Sequence, residues 1–319
     1  MPDIAPKNIA AVDLNLLLAF EAMLEERNVT RAGQRIGLAQ PSMSSALARL
    51  RALFDDQLFR RDGGTMVPTP KALLLAEPIR EALHHVRTAL AQGFGFDPAS
   101  ARHRFRLAVT DYGDLIVVPS ILRALRERAP GVDIEVQPIV DPAQAMAQLE
   151  RGTIDAMIGG HLPLPKDGVR HRLFEDRFVC LRDAGQAAAH AAMDLAAYAA
   201  LPHALFSASG GDGAPAALDA LLLRHGLRRR VVAVIPHVMA LPFAIAGTDL
   251  VAAVAERVAR QVAGLAGVAV LPLPAEVPHF DVDLLYTRRG AASESLRWLL
   301  ALTVEVSEGL DRILGLCPR

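Results

Sequence analysis

Hydrogen-bonding side chains recur at helical spacing between positions 40 and 49 of this 319-residue chain. The polar face of a helix over this stretch carries Gln40, Ser42, Ser45 and Arg49, with Ser44 close by. Glutamine can make two hydrogen bonds to adenine, arginine can bind guanine or a phosphate, and serine adapts to several partners. The combination predicts a helix that presents its polar face to DNA. Ser42 has an alternative role, because its hydroxyl could cap its own helix.

Two short helices around a tight turn are needed to position these side chains. Val29, Ala32 and Ile36 form one apolar stripe on a first helix, and Gly37 can end that helix because glycine tolerates positive φ. Pro41 suits the first turn of the second helix, where no backbone N–H is needed. The pattern predicts a helix-turn-helix, a motif that places its second helix in the major groove.

Positive charge is concentrated around this motif. Positions 27–71 hold eight basic and three acidic residues, a net charge of +5 in a chain whose net charge is −1. Two short extended pieces around Gly63 and Gly64 predict a hairpin wing that carries Arg60 and Arg61 to the DNA backbone or minor groove. The alternative is that these two arginines are a solvated surface pair. The expected DNA contacts are Thr30, Arg31, Gln40, Pro41, Ser42, Ser44, Ser45, Arg49, Arg60 and Arg61.

A long amphipathic helix is predicted after the wing. Thr69 can cap it, Pro70 suits its first position, and apolar residues recur to about Gln92. Roughly 21 residues correspond to about 30 Å of helix. Because such a helix between two domains needs a partner for its apolar face, we expect it to pair with the same helix of a second subunit.

The second half of the chain alternates strands and helices. A βαβαβ pattern from Phe105 to Gly160 predicts a parallel sheet, and a second set of strands and helices follows Pro165. Two α/β lobes would enclose a cleft where strand C-termini and helix N-termini converge. The charge of Asp111 at that cleft would oppose an anionic ligand unless the carboxylate pairs or points away. The candidate ligand contacts at the cleft are Thr110, Asp111, His161, Ser207, Ser209, His237 and Phe243.

Several classes of protein do not fit the composition. The two cysteines, Cys180 and Cys317, are far apart and form no disulfide framework, and Cys180 lies in an apolar run that indicates a buried thiol. No apolar run of about 18 residues occurs, so we expect a cytoplasmic chain. The sequence shows no Ser-His-Asp, metal or dinucleotide motif, and the Gly-rich turn after Ser209 lacks the lysine of a phosphate loop. We therefore expect neither an enzyme nor a cofactor.

Over essentially its full length, the sequence resembles the LysR-type transcriptional regulators. The resemblance extends to the branch that holds nodulation-gene and aromatic-catabolism regulators. The segments that carry it are Leu17–Phe20, Thr30–Ala32, Gln40–Ser44, Ala46–Arg51, Leu58–Arg61, Val67–Pro70, Gly152–Ile158 and Val234–His237.

The resemblance implies a multidomain fold and an assembly. It implies an all-α winged helix-turn-helix domain over 1–68, a dimerising linker helix over 69–93 and a two-lobed α/β periplasmic-binding-protein-like domain over 94–319. Lobe I would span about 103–163 and 270–319, and lobe II about 164–269. The implied partners are double-stranded promoter DNA, a small-molecule effector, further copies of the chain as a homodimer and homotetramer, and RNA polymerase.

Two positions depart from the family pattern. Ala39 replaces a serine that could cap the second helix, at a cost of roughly 0.5–2 kcal/mol, and Gly33 replaces an alanine, at a cost of up to about 1 kcal/mol. Two other functions stay open: a regulator that needs no effector because its cleft is degenerate, and an enzyme or transport-type binding domain fused to a DNA reader.

Overall fold

The structure is a computed structural model that describes residues 12–91, 95–190, 193–207 and 214–310. The chain divides into two compact units, 1–94 and 95–319, which are described separately below. No helix in the described part of the chain is both long and apolar enough to cross a membrane.

The first unit is a winged helix-turn-helix with a long helix attached. Phe20 is fully buried at its centre and packs against Phe59 of the wing with ring centroids 5.6 Å apart. The backbone N–H of Met66 donates to the carbonyl of Arg27, which fixes the wing against the end of the first helix. The elements are α1 (Leu14–Glu26), α2 (Val29–Arg35), α3 (Gln40–Phe54), β1 (Phe59–Asp62), β2 (Thr65–Pro68) and α4 (Pro70–Ala91).

Polar side chains cap the starts of α1 and α2, and α3 begins without a side-chain cap. The carboxylate of Asp13 accepts from the N–H of Asn15 at the start of α1, and Asn28 caps α2 in the same way. Ala39 provides no side-chain cap for α3, as expected. Gly33 has a steric role that the sequence did not indicate, because a Cβ built on it lies 2.7 Å from the carbonyl oxygen of Leu38. Glycine at this position therefore permits the close approach of the turn.

The long helix α4 uses part of its apolar face within its own unit. Ile79 and Leu83 are buried in the core that α1 also lines. Intramolecular packing thus covers a portion of the stripe that the sequence assigned to a second subunit. Among the described side chains of the helix, the large apolar groups of Leu73, Leu74 and Val86 stay exposed.

Lobe I of the second unit is built on a sheet with strand order β4-β3-β5-β12-β6. The strands β3, β4 and β5 are parallel, and β12 is antiparallel to both of its neighbours. Its strands are β3 (His103–Val109), β4 (Val132–Pro138), β5 (Ala156–Gly160), β6 (Gly168–Asp176) and β12 (Phe280–Thr287), and its helices are α5 (Asp111–Ile116), α6 (Val118–Arg128), α7 (Pro142–Arg151) and α12 (Glu294–Glu308).

Lobe II has a second five-stranded sheet with order β11-β7-β10-β8-β9. The strands β8, β9 and β10 are parallel, and β7 is antiparallel to both of its neighbours, β10 and β11. Its strands are β7 (Phe178–Asp183), β8 (Pro202–Phe206), β9 (Arg230–Ile235), β10 (Val251–Ala255) and β11 (Val268–Leu271), and its helices are α8 (Leu195–Ala200), α9 (Ala214–Arg224), α10 (Ala240–Ile245) and α11 (Glu256–Ala266).

The lobe boundaries differ from the sequence expectation. Strand β6 pairs with β12 in the sheet of lobe I, so lobe I extends to Asp176 rather than ending near position 163. Strand β11 pairs with β7 in lobe II and ends at Leu271, so the return to lobe I follows that strand. The chain thus crosses between lobes at 176–178 and again within 272–279.

Candidate DNA-binding face and effector cleft

The polar face of α3 is exposed as the sequence predicted. Gln40, Ser42, Ser44 and Ser45 all face solvent, whereas Met43 is fully buried against the rest of the unit. The start of α3 has no side-chain cap, so the alternative role of the Ser42 hydroxyl as a cap is not what the structure shows. Pro41 is also exposed, in the first turn of α3. This face is therefore available to an external partner.

Two of the candidate arginines are engaged within the unit. Arg49 forms an ion pair with Asp13 at 3.0 Å, and its side chain remains 56% exposed. Arg31 donates to the carbonyl of Glu26 at 2.9 Å and lies 3.6 Å from its carboxylate. Thr30 is exposed beside it. The bond from Asn15 and the pair with Arg49 hold the pKa of Asp13 below its ordinary value, so the carboxylate stays charged beside the Arg49 guanidinium.

The wing presents two arginines to solvent. Arg60 and Arg61 are exposed on β1, opposite Val67 and Met66 of β2. Neither has a side-chain hydrogen bond or ion pair to any residue in the described part of the chain. Arg51 differs, since its guanidinium donates to the carbonyls of residues 57 and 59 at 2.9 and 3.1 Å. Arg51 thus positions the wing rather than presenting a free charge.

A polar joint that the sequence did not indicate connects the wing to α4. Thr69 is buried; its hydroxyl donates to Asp56 at 2.7 Å and caps α4 through the N–H of Ala72. Asp56 also accepts from the N–H of Leu58 at 2.6 Å. The bond from Thr69 and the bond from Leu58 lower the pKa of Asp56. The sequence predicted that Thr69 caps α4, but it gave no indication that Asp56 accepts from the same hydroxyl.

At the cleft, Thr110 and Asp111 lie where β3 ends and α5 begins. The hydroxyl of Thr110 accepts from the N–H of Gly113 at 3.3 Å, so it serves as a helix cap. A Cβ on Gly159 would lie 2.3 Å from the methyl group of Thr110, which explains why glycine occupies that neighbouring strand end. Thr110 is therefore already packed and bonded within lobe I.

Asp111 reaches across to lobe II. Its Oδ2 accepts from the backbone N–H of Val238 at 2.5 Å, and its Oδ1 lies 3.6 Å from Nδ1 of His237. The imidazole of His237 is 71% exposed. The structure thus brings Asp111 and His237 together, and the charge of Asp111 is directed into this pairing across the cleft.

Aromatic side chains gather at the crossing between lobes. His161 has a positive φ of 57° and stacks on Phe280, with centroids 6.1 Å apart. Phe280 also contacts Tyr112 edge-on at 5.7 Å and stacks on Phe178 at 4.9 Å. The sequence did not single out Phe280, because its pattern is that of an ordinary strand residue. Its contacts bring together segments more than a hundred residues apart.

The remaining candidates on the lobe II side are Ser207, Ser209 and Phe243. The N–H of Ser207 donates to the carbonyl of Ile235 at 3.0 Å, which continues the pairing of β8 and β9. Phe243 lies on α10 and is 51% exposed. Ser209 lies outside the described residues.

A buried network joins the lobes beneath the cleft. Tyr112 donates its hydroxyl to Asp176 at 2.6 Å, and the guanidinium of Arg257 lies 3.4 Å from the same carboxylate. Arg257 also donates to the carbonyl of Glu175 and lies 4.4 Å above the ring of Phe174. Burial raises the pKa of Asp176 despite these bonds, and burial raises the pKa of Tyr112 as well. Sequence reasoning missed this network because its members belong to separate elements.

No cluster that could hold a metal ion occurs among the residues for which the structure gives positions.

Comparison with known proteins identifies the family of the chain. Residues 14–73 match the family described as bacterial regulatory helix-turn-helix protein, lysR family, and residues 98–308 match the LysR substrate binding domain. The chain belongs to the LysR family. The predicted branch of nodulation-gene and aromatic-catabolism regulators is confirmed as well.

Relatives of this LysR-family protein cover nearly its whole length. The HTH-type transcriptional activator NagR from Ralstonia is 35% identical over 92% of this chain and 97% of its own. Nodulation protein D 1 from Sinorhizobium fredii is 33% identical over 94% of this chain and 92% of its own. The crystal structure of a probable transcriptional regulator from Pseudomonas aeruginosa is 31% identical, with a TM-score of 0.78, and covers 92% of this chain and 97% of its own.

These matches determine the general function. The protein is a DNA-binding transcriptional regulator with an effector-binding domain, and it is not an enzyme. The predicted fold of a helix-turn-helix unit followed by a two-lobed α/β unit is confirmed. The alternative of an enzyme fused to a DNA reader is therefore wrong.

Proposed function

We propose that this LysR-family regulator binds double-stranded promoter DNA through α3 and the wing, and that a small organic effector in the cleft modulates the binding. The contact of Asp111 with Val238 carries this proposal. Because a carboxylate of lobe I accepts from an N–H of lobe II, a ligand that competes for either group would change the angle between the lobes.

The DNA contacts divide into two kinds. The exposed face of α3 is suited to base edges, and its contacts would be Gln40, Ser42, Ser44 and Ser45. Arg60 and Arg61, which form no ion pair with a described residue, are suited to phosphates. Arg49 would exchange Asp13 for DNA on binding, while Thr30 and Arg31 would lie toward the backbone.

The effector we propose is an aromatic or carboxylate metabolite. Phe280 and the stacked His161 offer flat surfaces, and the N–H of Val238 with His237 offers donors to a carboxylate once Asp111 moves away. An anionic ligand would therefore replace Asp111 rather than add to it. The lobe II side would be completed by Ser207 and Phe243.

The assembly we propose is a homodimer through α4 that pairs into a homotetramer. Leu73, Leu74 and Val86 support it, because they are large apolar side chains left exposed on one helix. A change of lobe angle would alter the arrangement of the tetramer, the bending of DNA and any contact with RNA polymerase.

Footprinting upstream of the protein's own gene, with and without a panel of aromatic carboxylates, tests the proposal. We expect a protected site whose length or hypersensitive positions change with one ligand class. Variant Gln40→Ala should lose protection, whereas Gln57→Ala, which alters another exposed glutamine of the same unit, should keep it. Absence of any protected site at every ligand concentration would contradict DNA binding at that promoter.

A second candidate is a regulator that needs no effector. The observation that favours it is that Asp111 already supplies a carboxylate to Val238, so the protein itself provides the cross-lobe contact. Calorimetric titration of the full chain against the same panel separates the two functions. Saturable heat that the Asp111→Asn variant alters supports the effector; no heat with any ligand, together with normal footprints, supports the second candidate.

A further inference from the structure

Lobe II contains a cavity of about 850 Å³ that is separate from the cleft candidates. This volume is within the range of small-molecule sites, which is roughly 300–1,000 Å³. The stretch from Val270 to His279 forms one wall, and Phe178 with Val179 forms another. The polar lining comes from Arg177, Arg224, Glu256, Arg260 and Glu276.

Two arginines of this cavity share one glutamate. Arg177 donates to Glu256 through Nε and Nη2 at 2.5 and 2.9 Å, and Arg260 donates to the same carboxylate at 3.0 and 2.7 Å. One buried carboxylate thus serves two guanidinium groups. Their Nη1 groups have no hydrogen-bond partner among the described residues, and the two side chains are 57% and 46% exposed.

Other lining groups leave an excess of positive charge. Arg224 is exposed at the end of α9 with no ion pair to a described residue, and Glu276 is the opposing carboxylate. Three arginines face two glutamates, which leaves one net positive charge, while His279 pairs with Glu175. The remaining wall is largely apolar, and its half-buried members include Val270, Leu271 and Val277.

We propose that this cavity is a second ligand site, for an organic anion with an apolar body. The acidic group would bind the free donors of Arg177 and Arg260, and the body would lie against Val277 and its neighbours. The backbone carbonyl of Arg177 also accepts from the N–H of Glu256 at 2.8 Å, directly at the crossing between lobes. A ligand here would restrain the crossing without entering the cleft, and the proposal stands independently of the effector proposed above.

Fluorescence titration of the full chain with anilinonaphthalene sulfonate, an aromatic anion, tests this site. We expect saturable binding, displaced by benzoate at least about tenfold more effectively than by neutral benzamide. The variants Arg260→Gln and Ala275→Trp, which remove a donor and fill the space, should each raise the dissociation constant about tenfold. Arg228→Gln is the matched control, because Arg228 is exposed and outside the cavity.

The cleft provides the second control: any binding phase that belongs to the cleft should respond to His237→Gln, whereas the dissociation constant of the phase that Arg260→Gln weakens should stay within about twofold. Circular dichroism melts confirm that each variant is folded, and Arg224→Gln replaces Arg260→Gln if the latter unfolds. Three results would overturn the site: no saturable binding, equal displacement by benzamide, or binding that responds to His237→Gln and not to the cavity variants.

Discussion

Removal of the Asp176 carboxylate is the sharpest test of how the lobes are held together. Asp176 and Arg257 are 4% and 5% exposed, so their ion pair is shielded from solvent. Breaking a buried pair leaves an uncompensated charge and costs about 3–5 kcal/mol, whereas an exposed pair contributes about 0–1 kcal/mol. We expect Asp176→Ala to lower the free energy of unfolding of the second unit by about 3–5 kcal/mol.

Two further variants provide reference values for the loss in free energy of unfolding. Tyr112→Phe removes one bond to the carboxylate but keeps Arg257 paired, so we expect a smaller loss of about 1.5–3 kcal/mol. Asp281→Ala breaks a pair with Arg172 in which both side chains are 52% exposed, and we expect at most about 1 kcal/mol.

Urea unfolding followed by tryptophan fluorescence measures these differences in one unit. The chain's single tryptophan, Trp298, lies on α12 of lobe I and packs against Phe96 at 5.3 Å, so its emission reports on the second unit. The ranking Asp176→Ala above Tyr112→Phe above Asp281→Ala is the expected result. The reasoning is refuted if Asp176→Ala costs no more than Asp281→Ala at unchanged denaturant dependence.

Other predictions concern the DNA-binding unit and one buried acid. Arg49→Ala should weaken promoter binding and reduce the salt slope by about one, and Asp13→Asn should strengthen binding by releasing Arg49; mobility shifts at several salt concentrations measure both. Arg60→Gln should reduce the slope similarly at every promoter sequence, and a sequence-dependent loss would contradict a phosphate contact. Thr69→Val should destabilise the first unit by about 0.5–2 kcal/mol, measured by thermal melting with Thr65→Val as the exposed control. Burial raises the pKa of Asp155 from 3.8 to about 6, so folding favours its protonated form; that stabilisation is present below about pH 4 and lost as the pH rises to about 6. Comparison of wild type with Asp155→Asn across this interval should show the slope only in wild type.

Local sequence determined the elements that depend on neighbouring residues. The caps of Asp13 and Thr69, the restart of a helix at Pro41 and the wing around Gly63 all follow from contacts within a few residues. Such contacts are set by backbone geometry and side-chain type, so one sequence suffices to predict them. The exposed polar face of α3 follows in the same way, because the buried stripe opposite fixes its orientation.

Edge strands and remote pairs were not predictable in this way. Strand β6 lies at the end of its sheet and carries exposed basic side chains, so it has little of the apolar pattern that marks a buried strand. The sequence expectation therefore placed its segment in lobe II, which was to begin near position 164. Its pairing with β12, more than a hundred residues later, is decided by which sheet has an open edge.

The candidate site residues show the same division between local sequence and tertiary structure. The sequence by itself determined which residues of α3 and the wing face outward, and that a cleft follows strand ends such as Thr110. Only the tertiary structure decided that Arg49 is paired with Asp13, that Asp111 reaches the lobe II backbone, and that Asp176 lies beside Arg257. A buried charged side chain needs a charged or hydrogen-bonding partner, and the partner of Asp176 lies on a segment about eighty residues away, a pairing that sequence spacing does not encode.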